Sequence, residues 1–249
     1  MKKTISILLI PFCLMAATSE EIAKKADEKI SGYVDSLSRM NMVLINANGE
    51  KSVKKMEYKT LEGESEEKSI LVFDYPLDIK ETKLLTYDYT DQNDDQWIYL
   101  PSLKRVKKIA ARNKSGSFMG SEFSYEDMSG YRYDKYTYSG EAETVKDGAL
   151  EYYRILATPK DPFSAYTKQI VWIDYADNLV RRVEYFDKKS SLFKTAYFNN
   201  YTKIKGVYRV GEIRMVNHQN DKQTILEWVK DDIRLGLDPK GFSRAVLKR

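Results

Sequence analysis

The feature that most constrains the fold is a two-residue alternation of apolar and polar side chains, which begins near Asn41 and continues almost to the C-terminus. Alternation of this kind is typical of β-strands with one buried face. Turn dipeptides such as Asn48-Gly49, Asp147-Gly148 and Asp177-Asn178 separate the alternating segments. The segments are VFDYPLD, KLLTYDYT, QWIYLP, LEYYRILATP, KQIVWIDY, NLVRRVEYFD, LFKTAYFNNY, VYRVGEIRMVNH and KQTILEWVKDD. A parallel connection needs about a dozen residues, so these short links predict one long, curved antiparallel sheet of about 10 to 11 strands.

The predicted sheet has one apolar and one polar face. In NLVRRVEYFD, the side chains of Val183 and Tyr185 point to one side of the strand and the charged residues next to them to the other. Ile213 and Met215 are separated in the same way from Glu212. The 19 tyrosines and 3 tryptophans suit such an amphipathic wall. Because no internal repeat or Pro/Gly-rich linker divides the chain, residues 18–249 are predicted to form a single domain.

The N-terminus has the pattern of a cleaved signal peptide covering residues 1–17. Lys2 and Lys3 precede an apolar run, and Ala16-Ala17 supplies the small residues of a cleavage site. The alternative, a buried N-terminal helix, is disfavoured because Pro11 interrupts the run. The residues before Cys13 do not suit lipid modification. Since Cys13 is the only cysteine and leaves with the signal, we expect a periplasmic protein without disulfides.

The segment that follows the signal, TSEEIAKKADEKISGYVDSLSRM, is predicted to be one helix. Thr18 or Ser19 is its expected N-cap, and Gly32 weakens its middle. The predicted apolar stripe consists of Ile22, Ala26, Ile30, Tyr33 and Leu37.

The composition disfavours an enzyme and a nucleic-acid-binding protein. His218 is the only histidine, which leaves no multi-histidine metal site, and we interpret it as a strand-end residue rather than a catalytic base. SGSFMGSE lacks the GK[ST] ending of a phosphate-binding loop. Acidic pairs such as Glu122 with Asp127 occur in any chain with 37 acidic residues, and Ser124 with Asp127 fits a capping box better. With 41 basic residues the charge is nearly balanced, so no nucleic acid, metal or cofactor is predicted.

The most distinctive stretch of the sequence predicts a basic hairpin followed by a lid. QWIYLP, a turn at Pro101-Ser102 and KRVKKIA form the hairpin. Six cations, which we call the basic run, lie on its second arm and exit: Lys104, Arg105, Lys107, Lys108, Arg112 and Lys114. They either protect an exposed strand from edge-to-edge pairing or bind a phosphate headgroup, an anionic membrane or an acidic partner.

The loop after the basic run, NKSGSFMGSEFSYEDM, is too long and too aromatic for a simple connection. Its residues Phe118, Met119, Phe123 and Tyr125 need burial, which predicts a lid across the apolar face of the sheet. The C-terminal segment DPKGFSRAVLKR predicts a short basic helix, most simply a surface tail packed by Phe242 and Leu247.

Four stretches carry a resemblance to a known family: DDQWIYLPSLKRVKKIAARNKSGSFMGSEFSYEDM, KQIVWIDYADNLVRRVEYFDKK, MVNHQNDKQTILEW and LDPKGFSRAVLKR. They resemble the LolA-like family of outer membrane lipoprotein-sorting proteins. The likeness runs from about Tyr75 to the C-terminus, and residues 18–74 match only in pattern.

This resemblance implies a mostly β fold, an unclosed antiparallel β-barrel (a half-barrel) with an N-terminal helix and a lid on its concave side. It implies a monomeric periplasmic carrier or chaperone for a lipid or lipidated protein, in transport toward the outer membrane. The implied partners are an inner-membrane exporter of the RND type and an outer-membrane acceptor, with transient membrane contact. The side chains expected to line the hydrophobic cavity are Phe73, Leu85, Trp97, Tyr99, Phe118, Met119, Phe123, Trp172, Val183, Tyr185, Ile213, Met215 and Trp228.

A second hypothesis from the same residues is a periplasmic adaptor with a solid core. It would bind an exporter or an envelope assembly partner through the basic run and carry no lipid. An envelope hydrolase is a third hypothesis, and it would depend on His218.

Overall fold

The structure is a computed structural model that describes residues 17–248. The predicted signal peptide, apart from Ala17, lies outside the described residues. One α-helix, α1, spans Ser19–Ile30. The strands are β1 (Asp35–Ile45), β2 (Lys51–Leu61), β3 (Glu66–Tyr75), β4 (Lys83–Tyr89), β5 (Asp95–Leu100), β6 (Arg105–Ile109), β7 (Tyr136–Tyr138), β8 (Glu143–Asp147), β9 (Leu150–Pro159), β10 (Lys168–Asp174), β11 (Val180–Phe186), β12 (Leu192–Asn199), β13 (Thr202–Ile204), β14 (Val207–Arg209), β15 (Glu212–Asn217) and β16 (Gln223–Ile233). Short 3-10 helices occupy Pro101–Leu103, Ala111–Asn113, Asp127–Ser129, Tyr133–Lys135, Pro239–Phe242 and Arg244–Lys248.

Fourteen strands form one antiparallel sheet in the order β6-β5-β4-β3-β2-β1-β16-β15-β12-β11-β10-β9-β7, with β8 also paired to β9. The strands β13 and β14 form a separate hairpin. Most neighbours in the sheet follow each other closely along the chain, as expected for strands joined by short turns. The pairing of β1 with β16 is the long-range exception, and it joins the N-terminal and C-terminal parts of the sheet.

The predicted fold class is confirmed: the protein is mostly β, with one N-terminal helix and a large antiparallel sheet that does not close into a barrel. The predicted number of strands was too low. Short strands such as β7, β13 and β14 have three residues each. A two-residue alternation is not detectable over so few residues.

The N-terminal helix is shorter than predicted. Thr18 is its N-cap, and a capping box forms because Glu21 N donates to Thr18 Oγ1 at 3.2 Å and Thr18 N donates to Glu21 Oε2 at 2.9 Å. The helix ends at Ile30, after which Gly32 and Val34 adopt positive φ angles of +83° and +68° and redirect the chain. The predicted helical residue Leu37 therefore lies in β1.

We call the face of the sheet that α1 and the lid segment cover the inner face; the lid segment is residues 110–135. Against β9, β10 and β11, α1 buries Ile22, Ala23 and Ala26. The lid segment buries Phe118 and Phe123 against the strands around β1. The predicted lid is thus present, and its apolar residues fill much of the inner face.

The opposite, outer face is also covered in part. The C-terminal segment lays Phe242 and Leu247 against Ile70, Leu85 and Trp97. Both C-terminal side chains are buried, which confirms the interpretation of this segment as a packed tail. Its predicted helix is present only as two short 3-10 helices. Within residues 17–248, no helix combines the length and the apolar character required to traverse a lipid bilayer.

If its aromatic residues belong to the hydrophobic core, the lid segment contributes to the free energy of unfolding. Phe118 is fully buried, with its ring centroid 5.9 Å from that of Phe73 and 5.4 Å from that of Tyr125. We expect Phe118→Ala to lower the free energy of unfolding by about 3–5 kcal/mol, because it leaves a cavity that rigid neighbours cannot fill. Urea denaturation followed by circular dichroism measures this. Phe163→Ala is the control, since Phe163 is 50% exposed and its loss should cost no more than about 0.5 kcal/mol. Equal effects of the two substitutions would contradict a packed lid.

Candidate functional site

The predicted cavity residues fall into three groups. The largest group lies together on the inner face, in the cluster that the lid segment covers, and comprises Phe73, Phe118, Met119, Phe123, Tyr185, Ile213, Met215 and Trp228. Val183 is also on the inner face, but it packs beneath α1. The third group, Leu85, Trp97, Tyr99 and Trp172, lies on the outer face, as described below.

Within the inner-face group, the lid aromatics form solid core rather than a cavity wall. The long-range hydrogen bonds of the lid segment include those from Gln96 Nε2 to Tyr125 O at 2.8 Å, from Glu122 N to Thr224 Oγ1 at 2.9 Å, and from Lys114 Nζ to Asp94 O at 2.7 Å. Because these contacts fix the lid at several strands, its aromatic side chains pack as they do in a domain interior.

The four outer-face residues were wrongly placed by the sequence analysis. Leu85, Trp97 and Tyr99 pack with the C-terminal segment, and the Trp97 ring lies between Lys108 Nζ at 5.6 Å and Arg244 Cζ at 5.4 Å. Both faces of β4 and β5 are buried, so alternation along these strands does not reveal which face meets the lid.

Trp172 is on the same outer face of the sheet, farther from the C-terminal segment. Its ring is 3.8 Å from Arg182 Cζ and 5.7 Å from Arg154 Cζ, measured to the ring centroid. These cation–π contacts place Trp172 away from α1 and the lid segment.

A cavity of about 620 Å³ lies on the inner face where α1 ends. Its wall comes from the end of α1 and the turn into β1, from β2 and the start of β3, from the β13–β14 hairpin, and from the lid segment near Tyr131. Two predicted cavity residues, Ile213 and Trp228, line it. The other aromatic side chains in the wall are Tyr33, Tyr58, Tyr131, Tyr133, Phe198, Tyr201 and Tyr208. Sequence reasoning missed these seven, because each comes from a different local pattern and only the folded sheet brings them together.

Two arginines in the cavity wall are already paired with carboxylates. Arg132 Nη2 lies 2.6 Å from Asp134 Oδ2, and Arg209 Nε lies 2.6 Å from Asp231 Oδ2. The guanidinium of Arg209 also lies over the ring of Tyr33, with Cζ 4.5 Å from the ring centroid. These side chains stiffen the wall rather than offering free positive charge.

Two acidic side chains in the wall have perturbed pKa values. Burial raises the pKa of Asp27 to about 6, against opposing effects from Arg132 and from the Tyr133 backbone N–H. Burial also raises the pKa of Glu67, while a hydrogen bond from the Tyr33 hydroxyl works in the opposite direction. In both cases a charged carboxyl costs free energy because the cavity wall solvates it poorly.

The basic run lies at one edge of the sheet, on the terminal strand β6 and the turns around it. Lys104, Arg105, Lys107 and Arg112 are exposed. Lys108 is also exposed, and its Nζ lies 2.6 Å from Asp95 Oδ1. The exception is Lys114, which is buried against the β4–β5 turn and donates to the Asp94 carbonyl, so it was wrong to include it among cations that face a ligand.

The structure assigns ordinary roles to the residues considered for catalysis. His218 is exposed at the end of β15 and its Nε2 lies 2.8 Å from Thr195 Oγ1. Asp127 accepts hydrogen bonds from Ser124 N at 2.7 Å and from the Tyr166 hydroxyl, while Asp127 N donates to Ser124 Oγ at 3.1 Å. This reciprocal pair is the predicted capping interaction. Among the described residues, no group of three or more His, Cys, Asp or Glu side chains is arranged to hold a metal ion.

The raised pKa of Asp27 gives a prediction for stability. Between about pH 4 and pH 6 the folded protein binds a proton at Asp27 that the unfolded chain releases, so this group's contribution to stability is lost as the pH rises through that window. Asp27→Asn should therefore weaken the decline in melting temperature between pH 4 and pH 6.5. Glu20→Gln, at an exposed position near the start of the same helix, is the control and should leave the profile nearly unchanged. Parallel profiles for wild type and Asp27→Asn would contradict the assignment.

Comparison with known proteins identifies similar chains. A family profile described as an uncharacterized protein matches residues 65–249. The chain is 40% identical to an outer membrane lipoprotein-sorting protein domain from Vibrio parahaemolyticus, with 92% of this chain and 98% of that one covered and a TM-score of 0.88. A DUF1329 family protein from Desulfovibrio piger is 28% identical, with 92% and 97% covered and a TM-score of 0.86.

A LolA superfamily protein from Nitrosomonas europaea shares the fold at 18% identity, with 93% and 100% of the two chains covered and a TM-score of 0.75. No curated protein matches the sequence.

Proposed function

The chain belongs to the LolA-like family of outer membrane lipoprotein-sorting proteins, and we propose that it is a periplasmic carrier that holds the acyl part of a lipid or lipidated protein in the cavity beside α1. The observation that carries this proposal is the cavity of about 620 Å³ with its wall of aromatic side chains. Small-molecule sites generally measure about 300–1,000 Å³. Each CH₂ group removed from water contributes about 0.8 kcal/mol, so an acyl chain binds there without any reactive group.

The ring of tyrosines suits such a cargo. Tyrosine offers an apolar ring to an acyl chain and a hydroxyl to a polar headgroup. The helix end and the turn at Gly32 form one side of the cavity, and the β2–β3 turn at Gly63 forms another.

The proposed route follows from the same family membership. We place the protein in the periplasm, with its first 17 residues as a cleaved signal and residues 18–249 as one domain. The carrier would receive its cargo from an inner-membrane exporter of the RND type and release it at the outer membrane, as a monomer that contacts membranes transiently. It would perform no chemical reaction and use no cofactor.

Lipid extraction tests the proposal directly. Protein purified from the periplasm without detergent is extracted with organic solvent, and the extract is analysed by mass spectrometry. We expect a bound amphiphile at close to one molecule per protein. An extract without lipid, both before and after incubation with envelope lipids, would refute the carrier function.

A substitution that fills the cavity tests whether the lipid binds at this site. Ile213 lines the cavity and is only partly buried, so Ile213→Trp adds volume to the cavity rather than to packed core. We expect the bound lipid to fall at least about fivefold while the fold is retained, because the acyl chain loses the space it occupies. Ile170→Trp is the matched control, since Ile170 is partly buried and points away from α1 on β10. Equal lipid content in both variants would place the ligand elsewhere.

A second candidate function rests on the edge strand β6. Its outer edge has no partner strand in the described sheet, and exposed cations flank it on both faces. An adaptor would bind an acidic exporter or assembly partner there. Simultaneous charge reversal of Lys104, Arg105, Lys107 and Lys108 should then abolish a salt-sensitive association with envelope membranes, measured by sedimentation in low and high salt. If the protein is a carrier alone, the reversed variant keeps its lipid and sediments like wild type.

A further inference from the structure

The unpaired charge in the cavity wall is negative. Four carboxyl side chains line the cavity with no cationic group within 4.0 Å among the residues that the structure describes: Asp27, Glu62, Glu64 and Glu67. The two arginines in the wall, by contrast, each have a carboxylate partner at 2.6 Å. A ligand that enters the cavity therefore meets carboxyl groups that form no ion pair within the described protein, although Arg132 acts at longer range on Asp27 and Glu67, and Arg209 on Glu67.

The four carboxyl groups come from α1, from the β2–β3 turn and from the start of β3. Glu62 accepts hydrogen bonds from Gly32 N at 2.9 Å and Val34 N at 2.6 Å, which ties the β2–β3 turn to the segment after α1. Asp27 lies near the end of α1 and Glu67 at the start of β3, and both line the cavity. The end of α1 and the β2–β3 turn thus bring together acidic groups that are distant in the sequence.

The aromatic rings of the wall also favour a positively charged ligand. The face of an aromatic ring attracts cations, and cavities lined by several rings recognise ammonium groups. Three rings of the wall already carry cations of the protein, on Tyr33, Tyr201 and Tyr208. Among the described residues, no cation contacts the rings of Tyr58, Tyr133, Phe198 or Trp228, which also line the cavity. Carboxyl groups next to aromatic rings suit a positively charged headgroup and repel a phosphate or sulfate.

Burial couples this preference to protonation. The pKa values of Asp27 and Glu67 are raised chiefly by desolvation, which disfavours their charged forms. A bound ammonium group would lower both pKa values, because a nearby opposite charge favours the carboxylate.

We propose that the cavity selects amphiphiles with a positively charged headgroup, a primary amine or a quaternary ammonium, over anionic amphiphiles of the same chain length. The inference rests on the proposed carrier function and specifies its ligand class. The acyl chain binds the apolar rings near Phe198 and Ile213, and the headgroup meets Asp27 and Glu67.

The test uses three probes that share a twelve-carbon chain. Dodecyltrimethylammonium, dodecyl maltoside and dodecyl sulfate are titrated below their micelle concentrations into delipidated full-length mature protein, by isothermal calorimetry at pH 7.5. We expect the cationic probe to bind at least about tenfold more tightly than the sulfate, with the neutral maltoside in between. The preference should shrink as the salt concentration rises, because ions screen the carboxylates.

Paired variants locate the selectivity. Glu67→Gln and Asp27→Asn preserve shape and remove charge, so together they should weaken binding of the cationic probe about tenfold and leave the maltoside unchanged. The controls are Glu66→Gln and Glu28→Gln, the sequence neighbours of the two tested residues, neither of which lines the cavity. Both controls should bind all probes like wild type. Melting curves confirm that each variant is folded.

The outcomes separate the two proposals. If no probe binds the wild-type protein, the carrier function itself fails. If all three bind with similar affinity, or the sulfate binds best, the carrier function stands and the charge selectivity is overturned. If the cationic probe is preferred but Glu67→Gln and Asp27→Asn do not alter its affinity, the selectivity arises outside this cavity and the inference is wrong.

Discussion

The pairing of β1 with β16 is the interaction on which the rest of the structure depends. It connects ten residue pairs, from Ser36 with Ile233 to Ile45 with Gln223, and it brings together side chains that are 193 residues apart, as in the 2.7 Å hydrogen bond from Ser38 Oγ to Asp231 Oδ1. Without it, the chain would form two separate meanders, β1–β6 and β7–β16. Closing so long a loop costs conformational entropy, although the cost grows only slowly with length. The extensive pairing of β1 with β16, which we call the seam, offsets that cost.

The seam also builds the candidate site. The segment after α1 is held to the end of β16, because Arg234 Nη2 donates to Gly32 O at 2.9 Å and Leu235 N donates to Asp35 Oδ1 at 2.7 Å. Arg209 reaches the same seam from β14 through Asp231. The cavity lies beside these contacts, so its wall combines residues from the beginning, middle and end of the chain.

The covering elements divide the inner face unequally. The lid segment packs its aromatics onto the strands around β1, and α1 packs onto β9 to β11. The cavity lies beside both elements, since the end of α1 and the lid segment near Tyr131 contribute to its wall, and the end of the helix at Ile30 therefore shapes it. A helix extended to Met40, as the sequence pattern favours, would take up the first six residues of β1, from Asp35 to Met40. The chain instead changes direction at Gly32 and Val34, where the φ angles are positive.

The amino-acid sequence by itself determined the fold class, the lid and many of the inward-facing residues. Val183, Tyr185, Ile213 and Met215 lie on the inner face as the two-residue period predicts, since successive side chains of a strand must point to opposite sides. The burial of Phe118 and Phe123 follows from the cost of exposing aromatic rings. These conclusions need only local geometry and the hydrophobic effect.

Tertiary structure alone decided which face became the site and which charges remained unpaired. Trp97 and Trp228 are chemically the same, and no local sequence pattern distinguishes them. The C-terminal segment covers Trp97 on the outer face, whereas Trp228 lines the cavity. In the sequence, Lys114 cannot be distinguished from its basic neighbours. In the structure it is buried and donates a hydrogen bond to the Asp94 carbonyl in the β4–β5 turn. Asp27 and Glu67 line one cavity because the fold brings the end of α1 close to the start of β3. A pattern in sequence reports which residues need burial or a partner, whereas the long-range pairing of strands decides what each of them meets.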